Sequence, residues 1–418
     1  MAPRSRRRSR LSSKAPLRHG RRRVMPALDG LKIVDFSRFL PGAYASWIAA
    51  DMGADVVRIE HPRELAKQQA MFGKDDDPAA AARRRARPSY TRNKRSLLIN
   101  PGAEASRPVL EKLIAEADVL IEDYRPGVMA GMGYGYEAVS ALNPRLVYLS
   151  VSFAGQTGPL AGRAGHDPLA LALAGTLSRL NGLPVPSLPG LQVADVLTGA
   201  HATIALLLAL QGRTRSGRGE HVDVAMSDAA MPLLLVGMGR HDDLTELPEL
   251  GAWHPKGGVW RCADGEYLCT TDMEPAYWRR FCVAIGKPEF AERQHDPAGH
   301  AAMQFEIAAV LLTKSRDEWF ALLSAAETQV MPVYSPAEAL AHPHNRARDM
   351  VLDVPLAGQA EPLVQLALPF TFSETQTVPP QAAGAAGADN AAILAELGFD
   401  TDALAAAGAF SAERDDRA

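Results

Sequence analysis

The most constraining feature of this sequence is a repeated alternation of short apolar runs with helical patterns. Leu31 to Ser37 (LKIVDFS) reads as a buried strand, Pro41-Gly42 opens a helix running through Met52, Gly53 closes it, and Asp55 to Glu60 (DVVRIE) is the next strand. Strand, helix and strand within about thirty residues make a βαβ unit, which commits the chain to a parallel pair with a covering helix. The pattern recurs as a helix from Ala103 to Glu116, the strand DVLIED (118 to 123) and the strand RLVYLSVS (145 to 152). The expected fold class is α/β, an open, mostly parallel, Rossmann-like sheet with helices on both faces. The first strand turns through FSRFLPGAY, which lacks GxGxxG, so the sequence argues against a nicotinamide dehydrogenase.

Further along, Gln192-Val193-Ala194-Asp195 precedes an apolar helix from Val196 to Gln211, a basic turn (RTRSGRG, 213 to 219), the strand EHVDVAM and another apolar helix. From about Asp242 the texture changes. Gly258 to Arg261 and Glu266 to Thr270 read as antiparallel strands joined by the turn Ala263-Asp264-Gly265. The expected organisation is a disordered basic tail (1–24), a large α/β domain (25–244), a smaller α+β domain (245–345) and a C-terminal segment (346–418) returning to the large domain. The stretch QTVPPQAAGAAGADN (376 to 390) reads as a loose linker before a final helix, AAILAELG.

Composition narrows the setting. The apolar runs IALLLAL and MPLLLVGM are far short of the ~20 residues that span a bilayer, so no membrane partner is expected. Three cysteines without CxxC spacing suggest neither a disulfide framework nor a zinc site, and a reducing cytoplasm is the expected compartment. Residues 1–24 carry ten Lys or Arg and no acid, so the net charge of −3 becomes −13 beyond them. Such a tail can bind nucleic acid or act as a transit peptide, but Met25 opens a stretch that reads like an ordinary N-terminus. A plain tail is expected, with no nucleic-acid partner.

The chemistry concentrates at Gly165-His166-Asp167-Pro168. Pro168 suits a first helical position and Asp167 an N-cap, with LALALAGTLSRL continuing the helix for about three turns until Asn181-Gly182. An imidazole and a carboxylate then lie beside the positive end of a helix, where free N–H groups can hold an oxyanion. Asp195 and Glu274 likewise sit at predicted helix starts. Taken singly, such acids are more often caps than catalysts, and His342-Pro343-His344 lacks a third metal ligand. No metal site is expected.

The segments GHDPLALALAG, ADVLTGAHA and CADGEYLCTTDMEPAYW resemble motifs of the α-methylacyl-CoA racemases, members of the class III CoA-transferase superfamily. The resemblance continues through LPGAYASWIAADMGADVVRIEHP, RNKRSL, ADVLIEDYRPGVMAGMGYGYEAV, NPRLVYLSVS, GQTGP, ALAHPHNRARDM and LPFTFS, covering most of the chain beyond residue 26. It implies an acyl-CoA substrate, no cofactor beyond the CoA moiety, and an interlocked homodimer in which one subunit's small domain covers the other's site. His166, assisted by Glu274, and Asp195 would be the two bases, and the N–H of Asp167 would hold the thioester oxygen. In the transferase branch the carboxylate at Asp167 is instead the nucleophile. That branch commonly has an aromatic residue at the place of His166, and a glycine-rich loop of which Lys256-Gly257-Gly258 is a remnant, so the resemblance favours racemisation of 2-methylacyl-CoA thioesters, with CoA transfer as the alternative. His61 stands where an adenine-stacking Arg is common, with Arg63 beside it, and Arg92, Lys94, Arg95 and Arg125 are candidate phosphate or adenine contacts. Gln329 replaces a cysteine seen in some racemases.

Overall fold

The computed structural model describes residues 25–72, 77–180, 186–239 and 257–412. Its centre is a six-stranded sheet built from β1 (Lys32–Asp35), β2 (Asp55–Glu60), β3 (Arg95–Leu98), β4 (Val119–Glu122), β5 (Val147–Ser152) and β6 (His221–Ala225). The spatial order is 3-2-1-4-5-6 with every neighbour parallel, so the order reverses between β1 and β4. The helices of this half are α1 (Leu40–Asp51), α2 (Pro62–Phe72), α3 (Pro78–Ala86), α4 (Arg107–Ala115), α5 (Val128–Gly131), α6 (Tyr136–Leu142), α7 (Asp167–Leu173), α8 (Val193–Ser216), α9 (Met226–Ala230) and α10 (Leu235–Met238).

Strand side chains alternate between two dry layers. Ile33, Val56, Ile121 and Leu149 point to α1 and α8, whose Ala45, Ala49, Ala202 and Leu206 are buried against them. Val34, Leu120 and Tyr148 point the other way, to Leu110 and Ile114 of α4. Burial on both faces explains why these strands read as unbroken apolar runs. The alanine-rich α1 lets α8 come close, and a Cβ at Gly199 would stand 2.6 Å from that of Tyr44. At 24 residues α8 is the one described helix long and apolar enough to cross a membrane, longer than its apolar runs alone suggested. One face of it forms a layer on the sheet.

A second sheet carries β7 (Gly257–Arg261), β8 (Tyr267–Thr271) and β9 (Val330–Pro332), antiparallel in that order. Trp260 and Leu268 pack there on Trp278 and Phe281 of α11 (Pro275–Ala284), with α12 (His300–Leu311) and α13 (Arg316–Ala325) completing the cluster. Beyond α14 (Pro336–Ala341) and α15 (Pro343–Ala347), the hairpin of β10 (Val351–Val354) and β11 (Leu363–Leu366) packs on Ala86 of α3. Finally α16 (Asn390–Glu396) and α17 (Thr401–Ala406) add Leu394 and Leu404 to the α4 layer.

Several expectations change. α7 stops at Leu173, because Gly175 turns the chain with φ +77°, and the expected stop at Asn181-Gly182 lies outside the described residues. β3 was hidden by its charged neighbours. The stretch 376–390 is no loose linker: Val378 and Gln381 bond the chain at Asp51 and Asn93, and Asp389 and Asn390 accept the N–H groups of Ser96 and Leu98. Nor is α16 the last helix. Residues 1–24 and Lys256 lie outside the description.

Arg92 closes this frame. Its guanidinium, 1% exposed, grips the Asp51 carboxylate at 2.5 Å and donates to Gln365 and the Leu366 carbonyl. Removing one partner of a buried pair strands the other charge, at a cost of about 3–5 kcal/mol. Asp51→Asn is therefore expected to lower unfolding free energy by roughly that amount in urea titration.

Candidate active site

In α/β sheets ligands bind beyond the carboxyl ends of the strands where the strand order reverses. There, at the ends of β1 and β4, a cleft of about 730 Å³ is lined by Arg38, His61, Arg63, Lys67, Tyr124 and Arg125 among others. Five basic side chains face one acid, Glu64, which pairs with Lys67 at 2.7 Å. Arg38 is tied to Asp123 and lies 3.8 Å over the Tyr124 ring. Arg63 and Arg125 are exposed, with no ion pair among the described residues. The His61 imidazole is held below its ordinary range by burial, with Arg63 and Lys67 adding to the effect, so it presents a neutral ring. Its Nδ1 accepts the N–H of Arg63.

Three of the six expected CoA contacts, His61, Arg63 and Arg125, thus line one cleft. Arg92, Lys94 and Arg95 do not. Arg92 is spent on Asp51. Lys94 is buried among Asp35, Ser46 and the Ala43 carbonyl, where burial pushes its ammonium down to about 8. Arg95 bridges Asp55 and Glu396, stapling β3 to its neighbours. The run RNKRSL offered three cations, and nothing local distinguished those turned inward. Arg38 was missed, although the turn after β1 is where the switch-point rule points, and so was Lys67, which reaches the cleft from α2.

The proposed reacting groups gather nearby. α7, the start of α8 and α9 share a small apolar cluster of Ala170, Leu171, Ala194 and Met226. That packing brings the Asp195 N–H within 2.9 Å of Asp167 Oδ2. Asp167 is therefore not the cap of α7. It is the first helical residue, 5% exposed, and His166 is the N-cap, with its imidazole exposed and edge-on to Phe39 at 5.6 Å between centroids. A Cβ at Gly165 would stand 2.2 Å from the ring of Phe153, so only glycine fits at the position preceding His166. The N–H of Asp167 makes no backbone hydrogen bond among the described residues. Asp195 lies in the first turn of α8, half-buried. Burial, then the neighbouring Asp167 carboxylate, push its acid up to about 6, while His166 pulls the other way. His166 and Asp195 are thus close enough to act on one another electrostatically.

Glu274 is elsewhere. As N-cap of α11 it is exposed and accepts a 3.0 Å bond from Gln329 Nε2, and no contact joins it to His166 among the described residues. Gln329 also donates its N–H to buried Asp272. His342 caps α15 by accepting the N–H of His344, a structural use of that pair. Among the described residues no three His, Cys, Asp or Glu side chains are grouped to hold a metal.

A Rossmann-ordered sheet, a basic cleft at its switch point and a carboxylate–imidazole group beside it form the setting in which the comparison with known proteins is decisive: the model of CoA-transferase family III matches residues 28–390. The chain belongs to CoA-transferase family III. It is 31% identical over 407 residues to an acyl-CoA transferase of Fusarium pseudograminearum, covering 91% of this chain and 86% of that one. It is 30% identical over 394 residues to the succinate–glutarate CoA-transferase of Agrobacterium fabrum, covering 89% and 96%. A CAIB/BAIF family protein from Brucella suis has a similar crystal structure, with TM-score 0.78, 28% identity, and coverage of 90% of this chain and all of that one. The superfamily and fold expected from the sequence are thereby shown; the Fusarium and Agrobacterium relatives are named as transferases, not racemases.

The raised Asp195 acid has a stability signature. Its folded value exceeds the unfolded 3.8, so folding favours the protonated form. The stability this brings is fully present below pH 3.8 and is lost as pH rises through about 6. Asp195→Asn, which keeps the backbone bond to Asp167, is expected to stabilise the protein by about 1 kcal/mol near pH 8, a figure reduced for partial exposure. Thermal denaturation across pH should show that gain shrinking towards zero in acid.

Proposed function

We propose that the protein transfers CoA between an acyl-CoA and a free carboxylic acid, with Asp167 as nucleophile. The observation carrying this reading is the Asp167 carboxylate itself, buried at a helix start with one oxygen held by the Asp195 N–H and the other left for attack. The relatives named as CoA-transferases point the same way. The free oxygen attacks the thioester carbonyl, the C–S bond breaks, and a mixed anhydride and CoA thiolate form. The thiolate then attacks the aspartyl carbonyl, releasing the first acid and leaving an aspartyl-CoA thioester. The acceptor carboxylate attacks that thioester, and the freed thiolate attacks the acceptor's acyl carbon, regenerating Asp167. The free N–H of Asp167 and the α7 dipole stabilise charge on the oxygen of each tetrahedral species. The acids named for the Agrobacterium relative make short dicarboxylates the first acceptors to try.

A second reading is α-proton exchange at a 2-methylacyl-CoA. Its support is the imidazole of His166 within electrostatic reach of an Asp195 carboxyl whose proton is retained to about pH 6. A base and an acid across one carbon are what inversion through an enolate requires. In both readings the CoA diphosphate lies in the switch-point cleft, on Arg63 and Arg125, with the neutral His61 ring against adenine. Glu274 would reach His166 only from a second copy. The exposed Ile204, Leu207 and Leu208 of α8, with Leu235 and Val236 of α10, offer the apolar face for such a homodimer. The three unpaired cysteines fit the cytoplasmic setting expected from the sequence.

Incubation with an acyl-CoA, deuterated water and a panel of free acids separates the two. CoA transfer that disappears in Asp167→Ala, together with a hydroxylamine-trapped acyl-enzyme in the parent protein, is expected. Deuterium entering the α-position with no acceptor present, and no transfer, would hand the site to the second reading. Arg125→Ala should weaken CoA binding by roughly 10-fold or more, as expected for a charged phosphate contact, while leaving the affinity for an acyl-pantetheine unchanged in calorimetry. Sedimentation should give the mass of a dimer; a monomer with full activity removes Glu274 from the site.

A further inference from the structure

Asp123, the partner of Arg38 at the cleft wall, also reaches the reacting group. It follows β4 at the point where α1 leaves β1, and its carboxyl is 5% exposed. The start of α1 needs a cap it cannot provide, because its N-cap residue, Phe39, has no side-chain acceptor. Asp123 supplies one from the adjacent strand. Its Oδ2 accepts the N–H groups of both Arg38 and Phe39, at 2.8 and 2.7 Å, and Oδ1 accepts Arg38 Nε at 3.2 Å. Two consecutive backbone bonds to one oxygen fix the peptides on either side of Arg38, the second of which leads into Phe39, and so hold the backbone from which the Phe39 ring projects. That ring is the one meeting His166 edge-on.

We propose that Asp123 is a positioning residue for His166, acting by capping α1 from the neighbouring strand and so holding the Phe39 ring against the imidazole. The inference rests on the reading of His166 as part of the reacting site, but its geometry does not depend on which reaction is run. The alternative place for Asp123, a counter-ion for Arg38 alone, would use one oxygen and leave the two backbone groups to water. A charge at this spot also acts on Asp195, whose acid is raised in small part by Asp123. The same side chain therefore touches the cleft wall through Arg38 and the proton-bearing pair through Phe39.

The test has a readout that needs no turnover. In protein labelled at histidine Cε1, with the His166 signal identified by its loss in His166→Ala, the facing Phe39 ring shifts that resonance. Phe39→Leu is expected to move the signal, and Asp123→Ala to move it in the same direction. Asp123→Asn, which keeps an acceptor for the two backbone N–H groups, is expected to restore most of the parent position. In the CoA-transfer and deuterium-exchange assays, Phe39→Leu and Asp123→Ala should each lower kcat by about 10–100-fold, the effect of displacing a reacting group by a fraction of an ångström to an ångström. If Asp123→Ala, folded by circular dichroism, leaves the His166 signal in place, the proposal is overturned. It is overturned equally if Phe39→Leu moves neither signal nor kcat, so an unstable alanine variant does not protect it. Signals that move as expected in a protein showing neither transfer nor exchange uphold the positioning and reject the proposed function instead.

Discussion

The site depends on a single tertiary contact, the hydrogen bond from the Asp195 N–H to the Asp167 carboxylate. Two helix starts separated by about thirty residues of chain are brought together by it, and a carboxylate is desolvated beside a second acid. Such a contact would be unfavourable in isolation, since burying one carboxyl against another raises the free energy of the ionised forms. It is held by the apolar cluster of α7, α8 and α9 directly behind it, and beyond that by the packing of α8 on α1 and the parallel sheet. The core thus imposes an electrostatic arrangement that the side chains would not choose.

That arrangement gives each carboxyl a different character. Asp195, half-buried near Asp167, keeps its proton towards neutrality. Asp123 is matched by two backbone donors and a guanidinium, although burial still raises it. Placing groups of the same chemical type in unlike surroundings is how one fold can hold carboxyls of different proton affinity at a common pH. Arg38 lines the basic cleft and is paired with Asp123, so the cleft wall and the cap of α1 share one ion pair.

The cation-rich run from Arg92 to Arg95 shows how a surface reading fails. Charge and spacing made these residues resemble a phosphate cradle, yet Arg92 and Lys94 are inside the protein and Arg95 is bridged to Asp55 and Glu396. Their partners lie up to three hundred positions away, so no local pattern marks them. Pro/Gly/Ala composition misled in the same way at 376–390, where backbone and Asp or Asn side chains fasten an irregular strand to the large sheet.

What the sequence determined by itself was the parallel α/β sheet, its βαβ units, the antiparallel pair around 258–261 and 266–270 and the placing of His166, Asp195 and Glu274 at helix starts. All of these follow from short-range periodicity, proline and glycine stereochemistry, and the need to bury apolar faces. Tertiary structure alone decided which cations face the cleft, that Asp167 and Asp195 share a hydrogen bond, that Glu274 lies apart from His166 within one chain, and that Asp123 caps a helix it does not belong to. These depend on which distant segments share a low-dielectric space, and the pairing energies that select among them are set by burial and geometry rather than by any neighbour in sequence.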